Sequence, residues 1–167
     1  MNKDSTNQFY KKETMKKILF LGIIAAAFAV TSCDKIEEAI DDFQKDQAPT
    51  YVESKDGLTA TVSFSKNGYA SETEAKFAVD KSGASHVISD TICISFIQKN
   101  HYALESAAKQ IYEELKEDSD EKITITYDDK KTITVDMKTY VNYEKPIAVI
   151  ALKEILSTYE QAYKQQQ

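Results

Sequence analysis

The reactive groups of this chain are few: one thiol in an apolar run, two imidazoles and scattered carboxylates. Cys93 lies between Ile92 and Ile94, and His86 and His101 are the only histidines. A cysteine nucleophile needs an electropositive, accessible setting and a base, and either histidine could reach Cys93 in a suitable fold. A free cysteine flanked by isoleucines is more commonly a small buried hydrophobe. Cys93 is therefore expected to be an inert core thiol, with an enzyme using Cys93 as an alternative. His101 and Glu105 have the i, i+4 spacing of metal ligands on a helix. Two ligands do not make a zinc site, and a third would have to come from His86 or Asp90. Asp128-Asp129 reads as a hairpin turn, where Asp bonds its own backbone, rather than a calcium loop. Gly-rich phosphate loops, G-x-S-x-G elbows and CxxC pairs are all absent. No metal and no cofactor is expected.

The remaining candidates are contact residues. Tyr140, Tyr143, Tyr159 and Tyr163 cluster toward the C-terminus. Tyrosine is enriched at interfaces, so these four form a candidate contact surface, although tyrosines at helical spacing also edge cores. All 21 basic residues are lysines, which removes the bidentate arginine fork used on phosphate and base edges. The formal charge is −6. Residues 1–32 hold five lysines and two acids, so the rest of the chain sets 16 lysines against 25 acids, a net −9. Such a protein repels nucleic acid and anionic headgroups, and no nucleic-acid partner is expected.

The strongest motif is N-terminal. Met15-Lys16-Lys17 leads into the apolar run Ile18–Val30 and then Thr31-Ser32-Cys33. A basic start, a short apolar stretch and small residues before a cut define a secretory signal peptide. The run falls short of the roughly 18 apolar residues that span a membrane comfortably. Residues 1–14 read either as a misassigned start ahead of Met15 or as a long n-region, and Met1 and Met15 both stand as possible starts. Val30-Thr31-Ser32-Cys33 resembles the lipobox of bacterial lipoproteins. The resemblance implies cleavage between Ser32 and Cys33, diacylation of the Cys33 sulfur and, often, acylation of its new amine. It covers the first fifth of the chain and implies nothing about the domain behind it. Burial of each CH₂ contributes about 0.8 kcal/mol, so a multiply acylated Cys33 would anchor the protein to a membrane essentially permanently. Lipidation would leave Cys93 as the one free cysteine.

Asp34-Lys35-Ile36-Glu37-Glu38-Ala39-Ile40-Asp41-Asp42-Phe43 follows the cysteine. An acidic stretch here resembles the export signal of Bacteroidetes surface lipoproteins. In enterobacteria Asp after the cysteine favours inner-membrane retention instead, and the all-lysine S-C-D-K style suits the first case better. The implied location is the outer membrane, with the side the domain faces left open. Residues 33–50 are expected to be an acidic tether. Ile36, Ala39, Ile40 and Phe43 keep helical spacing, which is compatible with a tether. The carboxylates at 37, 38, 41 and 42 read as a solvated charge run rather than a cation site. Gln47-Ala48-Pro49-Thr50 then marks a boundary before one domain over 51–167.

Within that domain Leu58, Ala60, Val62 and Phe64 alternate with polar residues, as in a half-buried strand. Asn67-Gly68 is the preferred pair for a type I′ hairpin. Pairing across it sets Leu58 opposite Phe77, Ala60 opposite Ala75 and Val62 opposite Thr73, with Thr61 and Ser63 against Glu74 and Glu72. Ser71 with Glu74 offers a competing capping box for a helix at 72–81, but the register favours strand. Residues 87–98, apolar on both sides at their centre, read as an inner strand. Leu104, Ala107, Ala108, Ile111, Tyr112 and Leu115 form a helical stripe with Asn100 as N-cap, ended by Asp118-Ser119-Asp120. A second hairpin pairs Tyr127 with Ile133, Ile125 with Val135 and Ile123 with Met137 across a loop at 129–131. A helix from about Tyr143 to Tyr163 closes the chain, with Pro146 in its first turn.

The expected fold is α+β in the order β-β-β-α-β-β-α. It comprises a mostly antiparallel five-stranded sheet with two helices packed on its apolar face. The other face, rich in Thr, Ser, Lys and Glu, stays open. The expected function is a lipid-anchored cell-envelope protein with a non-catalytic binding or assembly role toward an envelope protein or glycan. An inhibitor or immunity-type protein that blocks an enzyme is the alternative.

Overall fold

The computed structural model describes residue 43 and residues 45–165. The strands are β1 (Gln47–Glu53), β2 (Thr59–Lys66), β3 (Tyr69–Val79), β4 (Thr91–Tyr102), β5 (Ile123–Asp128) and β6 (Thr132–Met137). Helix α1 (Glu105–Leu115) runs on into a 3₁₀ turn at Lys116–Asp118. A second 3₁₀ turn at Lys138–Tyr140 precedes α2 (Lys145–Gln165). The strands form one sheet of order β1-β2-β3-β4-β6-β5, and every neighbouring pair is antiparallel.

The protein is thus α+β with an antiparallel sheet and two helices, but the sheet has six strands where five were expected. The extra strand is β1, whose first four residues were assigned to the tether. Pro49 is tolerated there because β1 is an edge and a missing N–H breaks no inner ladder. The register also shifts between Gln47 and Thr50.

Both hairpins pair as the alternation requires. Ala60 faces Ala75 and Val62 faces Thr73, while Ile125 faces Val135 and Ile123 faces Met137. Asn67 and Gly68 take φ of 49° and 75°, the left-handed values that a two-residue hairpin needs. Asp129 and Lys130 do the same at 55° and 61° in the second turn. Residues 72–79 are strand, not helix.

Cross-strand partners share a face, so rows can be followed across all six strands. Tyr51, Val62, Thr73, Gln98, Val135 and Ile125 make one row on the covered face. Thr50, Ser63, Glu72, Lys99, Thr134 and Thr126 make the matching row on the other. The core joins the covered face to Ala108, Ile111 and Leu115 of α1 and to Ala148, Leu152, Ile155 and Tyr159 of α2. α2 lies across β1 to β4, and α1 lies against β4, β5 and β6.

Two boundaries differ from expectation. β4 begins at Thr91 and continues to Tyr102, so Asn100 is a strand residue and Leu104 precedes the helix without a side-chain cap. Within β4 the pairing steps from Lys76–Ser95 to Phe77–Cys93, leaving Ile94 as an extra residue, 50% exposed. This bulge explains why the centre of β4 is apolar on both sides.

Candidate binding surfaces

Among the described residues neither histidine is hydrogen-bonded to Cys93. Cys93 is fully buried on the helix-covered face, and its Sγ hydrogen-bonds to the Ser95 carbonyl at 3.3 Å. Burial pushes the thiol above its ordinary pKa. His101 lies on the opposite face, with Nδ1 3.1 Å from Thr132 Oγ1. His86 pairs through Nε2 with Asp80 Oδ2 at 3.0 Å. His101 belongs to β4 and Glu105 opens α1, so the expected i, i+4 spacing on one helix is not formed. Among the described residues no group of three or more His, Cys, Asp or Glu side chains is arranged to hold a metal ion.

The four tyrosines separate. Tyr159 is fully buried, so it is removed from the candidate contact surface. Tyr140 packs on Phe96 at 4.5 Å, with its hydroxyl pushed up to about 12 mainly by burial. Tyr163 lies beneath Lys66, whose Nζ is 4.5 Å from the ring centre. Tyr143 is exposed and keeps the expected role open.

The destination of the Tyr159 hydroxyl was not visible in the sequence. It lies 2.6 Å from Ser71 Oγ, 3.5 Å from Thr73 Oγ1 and 3.2 Å from Gln98 Nε2. Asn100 Oδ1 accepts from Tyr69 at 2.7 Å, from Ser71 at 2.9 Å and from Gln98 at 2.9 Å. All these residues are buried, which leaves Gln98 Oε1 as a buried acceptor without a partner. Burial raises the Tyr159 hydroxyl to about 12 despite its bonds to Ser71 and Thr73. The network is closed to solvent, so its role is structural: it fixes α2 against β3 and β4.

Three outer regions are candidate surfaces. The first is the open sheet face, where the hydroxyl and charged row Thr50–Thr126 lies beside a second row of Val52, Thr61, Glu74, Ile97, Asp136 and Thr124. This face offers donors and acceptors in a regular grid, interrupted by Val52, Ile94 and Ile97.

The second comprises the two sheet edges. On β5, Ile123 N donates to Asp120 Oδ1 at 2.7 Å and Ile125 N to Ser119 Oγ at 3.0 Å, so the preceding loop closes that edge.

The third is the end of the sheet where β3 meets β4. There the 80–90 loop is tied at its base by Asp80 N to the Asp90 carbonyl at 2.7 Å. Glu144 holds its last part: Oε1 accepts from Val87 N at 2.7 Å, and Oε2 from Ile88 N at 2.7 Å and Ser89 N at 2.9 Å. These bonds, Val87's first, keep the Glu144 carboxyl below its usual pKa. Val87 is nevertheless 93% exposed and Ile88 65%.

The chain enters the sheet at the opposite end. Lys45 O accepts from Ser65 Oγ at 2.5 Å, and Asp46 Oδ1 from Asn67 N at 2.9 Å. Ser32, Cys33, the apolar run before them and the acidic stretch through Asp42, on which the expected cleavage, lipidation and tether fall, lie outside the described residues. Among the described residues no helix is long and apolar enough to cross a membrane.

Together these features define an α+β protein built on an open, fully antiparallel six-stranded sheet. Comparison with protein-family models, curated proteins and solved structures finds no match.

Proposed function

We propose that this chain is a cell-envelope lipoprotein, anchored to the outer membrane through lipid on Cys33, whose domain binds an envelope protein or glycan without catalysis. The anchor rests on the basic start, the apolar run and Val30-Thr31-Ser32-Cys33. The observation that carries the binding role is the helix-free face of the sheet. Thr61, Thr124, Thr126, Thr132 and Thr134 present hydroxyls there between Glu72, Glu74, Lys99 and Asp136. Such a grid suits a partner that offers hydrogen-bonding groups over a broad, shallow area.

The test has two parts. Cells fed an alkyne fatty acid should label the full chain and leave a Cys33→Ser variant unlabelled and released from the membrane fraction. An unlabelled wild-type chain would refute the anchor. Capture from envelope extract by the full chain should be lost when Thr126 and Thr134 are both replaced by Arg. Capture that survives this change would move the binding site off the open face. Protease shaving of intact cells then reports which side of the outer membrane the domain faces.

The acid distribution favours a second reading, an inhibitor of a basic enzyme. Residues 104–131 hold nine acids and five lysines, the largest local excess in the folded part. A one-to-one complex with such an enzyme would weaken steeply with salt, and a salt-insensitive complex would count against it.

A further inference from the structure

We infer that Asn67 is a site of spontaneous deamidation, and that its product loosens the junction where the chain enters the sheet. The inference uses folded residues alone and is independent of the anchor and of the binding face.

The reaction joins two neighbours. The Gly68 amide nitrogen, its proton given to solvent base, attacks Asn67 Cγ. The N–Cγ bond forms, the Cγ–Nδ2 bond breaks, and Nδ2 takes a proton and leaves as ammonia. Water then opens the succinimide ring at one of its two carbonyls. Opening at Cγ gives aspartate. Opening at the backbone carbonyl gives isoaspartate, in which the chain runs through Cγ. Water enters, ammonia leaves and nothing is oxidised. Asparagine is among the thermolabile residues, and a following glycine has no side chain to obstruct the attack.

The structure separates this pair from its rivals. In Asp56-Gly57 both reacting groups are held. Gly57 N donates to the Ser54 carbonyl at 2.9 Å, and Asp56 Oδ1 accepts from Ser54 Oγ at 2.6 Å and Leu58 N at 3.0 Å. The same bonds, Ser54's first, keep the Asp56 carboxyl below its ordinary pKa, and an ionised carboxylate is a poor electrophile. The described residues include two other asparagines. Asn100 is buried, and its Oδ1 accepts from Tyr69, Ser71 and Gln98. Asn142 is followed by Tyr143, whose N–H donates to the Tyr140 carbonyl at 3.2 Å. Asn67 differs from both. It is half-buried at the β2–β3 turn, and among the described residues no hydrogen bond holds its carboxamide or Gly68 N. The folded hairpin restricts rotation between the two residues, so conversion is slower than in the unfolded chain.

The turn joins three parts of the fold. Asn67 N donates to Asp46 Oδ1 at 2.9 Å, Asp46 Oδ2 lies 3.7 Å from Lys66 Nζ, and Ala103 N donates to the Gly68 carbonyl at 2.8 Å. Conversion puts a new carboxylate near that of Asp46, and like charges repel. Isoaspartate also lengthens the backbone by a methylene in a turn whose geometry is set by two residues. Both changes weaken the bond from Asn67 N to Asp46, beside the bond from Ser65 Oγ to the Lys45 carbonyl.

The experiment incubates the purified full chain in mildly alkaline buffer, beside a portion unfolded in urea. Peptide mass spectrometry, with fragmentation that distinguishes aspartate from isoaspartate, follows each asparagine. In the native chain position 67 should convert first, mostly to isoaspartate, with Asn100 and Asn142 intact and Asp56 not isomerised. Conversion at 67 in the unfolded portion alone, or equal conversion at 142, overturns the site. Amide exchange tests the consequence. In the converted chain the amides of residues 67 and 103 should lose protection by about tenfold or more. Asn67→Asp, which adds the charge without the extra methylene, should lose less. Unchanged exchange at residue 67 in the converted chain overturns the loosening.

Discussion

The Tyr159 hydroxyl lies 2.6 Å from Ser71 Oγ, so α2 is fastened to the third strand by a polar contact inside the apolar core. Buried groups of this kind contribute modestly when satisfied and cost more when one partner is removed.

Tyr159→Phe keeps the ring against Phe64, 4.4 Å away, and removes only the hydroxyl. Ser71, Thr73 and Gln98 then lose a partner without access to water. The expected loss is about 1–3 kcal/mol in urea unfolding, with little change in the denaturant slope. A loss below the measurement error would mean that the network relaxes around the gap. A double variant with Ser71→Ala should cost less than the sum of the two single changes, because they share one contact.

Glu144 should make residues 87–89 of the loop sensitive to acid. Its pKa is depressed in the folded protein, first by Val87 N–H, so its stabilising contribution is complete above the unfolded carboxyl value of about 4.3 and is lost as pH falls through the folded value. Amide exchange at residues 87–89, corrected for intrinsic pH dependence, should accelerate on acidification below that range. Glu144→Gln should speed exchange at those amides at neutral pH and flatten the pH response. Equal protection in both proteins would show that the loop holds its shape without the carboxylate.

Cys93 should resist alkylation. Its thiol is buried and its pKa is raised, so reaction with iodoacetamide at pH 8 requires local or global opening. The native chain should react at least about a hundredfold more slowly than the urea-unfolded chain. Labelling at the unfolded rate would place the thiol at the surface and reopen its candidacy as a nucleophile.

The β5 edge is closed by two neighbouring side chains, which should be separable from the fold. Replacing both Ser119 and Asp120 with Ala should cost about 0.5–1.5 kcal/mol for each bond lost and expose the Ile123 and Ile125 amides to exchange. A tendency to associate through the freed strand would follow. Unchanged exchange at those amides would show that the edge is covered by something else.

Local pattern was enough wherever local pattern sets the structure. The two hairpins were legible because alternation and turn chemistry agree: Asn67-Gly68 and the 129–131 loop leave one register that buries Val62 with Thr73 and Ile125 with Val135. β1 was missed because an edge strand with Pro49 and a register shift has no alternation to read. Asn100 was misread as a cap because Asn suits caps by type. Its actual partners, Tyr69 and Ser71, are about 30 residues away in sequence and adjacent only across β3 and β4. Val87 and Ile88 were read as strand because apolar pairs usually are. Only the Glu144 carboxylate, 56 and 57 residues further on, accounts for their position outside the sheet.

The same helix that starts beside Glu144 carries Tyr159 further along. Its buried side sets Ala148, Ala151 and Ala162 among Leu152, Ile155 and Tyr159. The buried hydroxyl adds one fixed polar contact to that packing. A slip of one turn would shift the helix by about 5.4 Å and carry the Glu144 carboxylate with it, away from the three amides it holds. One helix thus joins, at its two ends, the buried hydroxyl network and the carboxylate that holds the backbone of Val87 and Ile88.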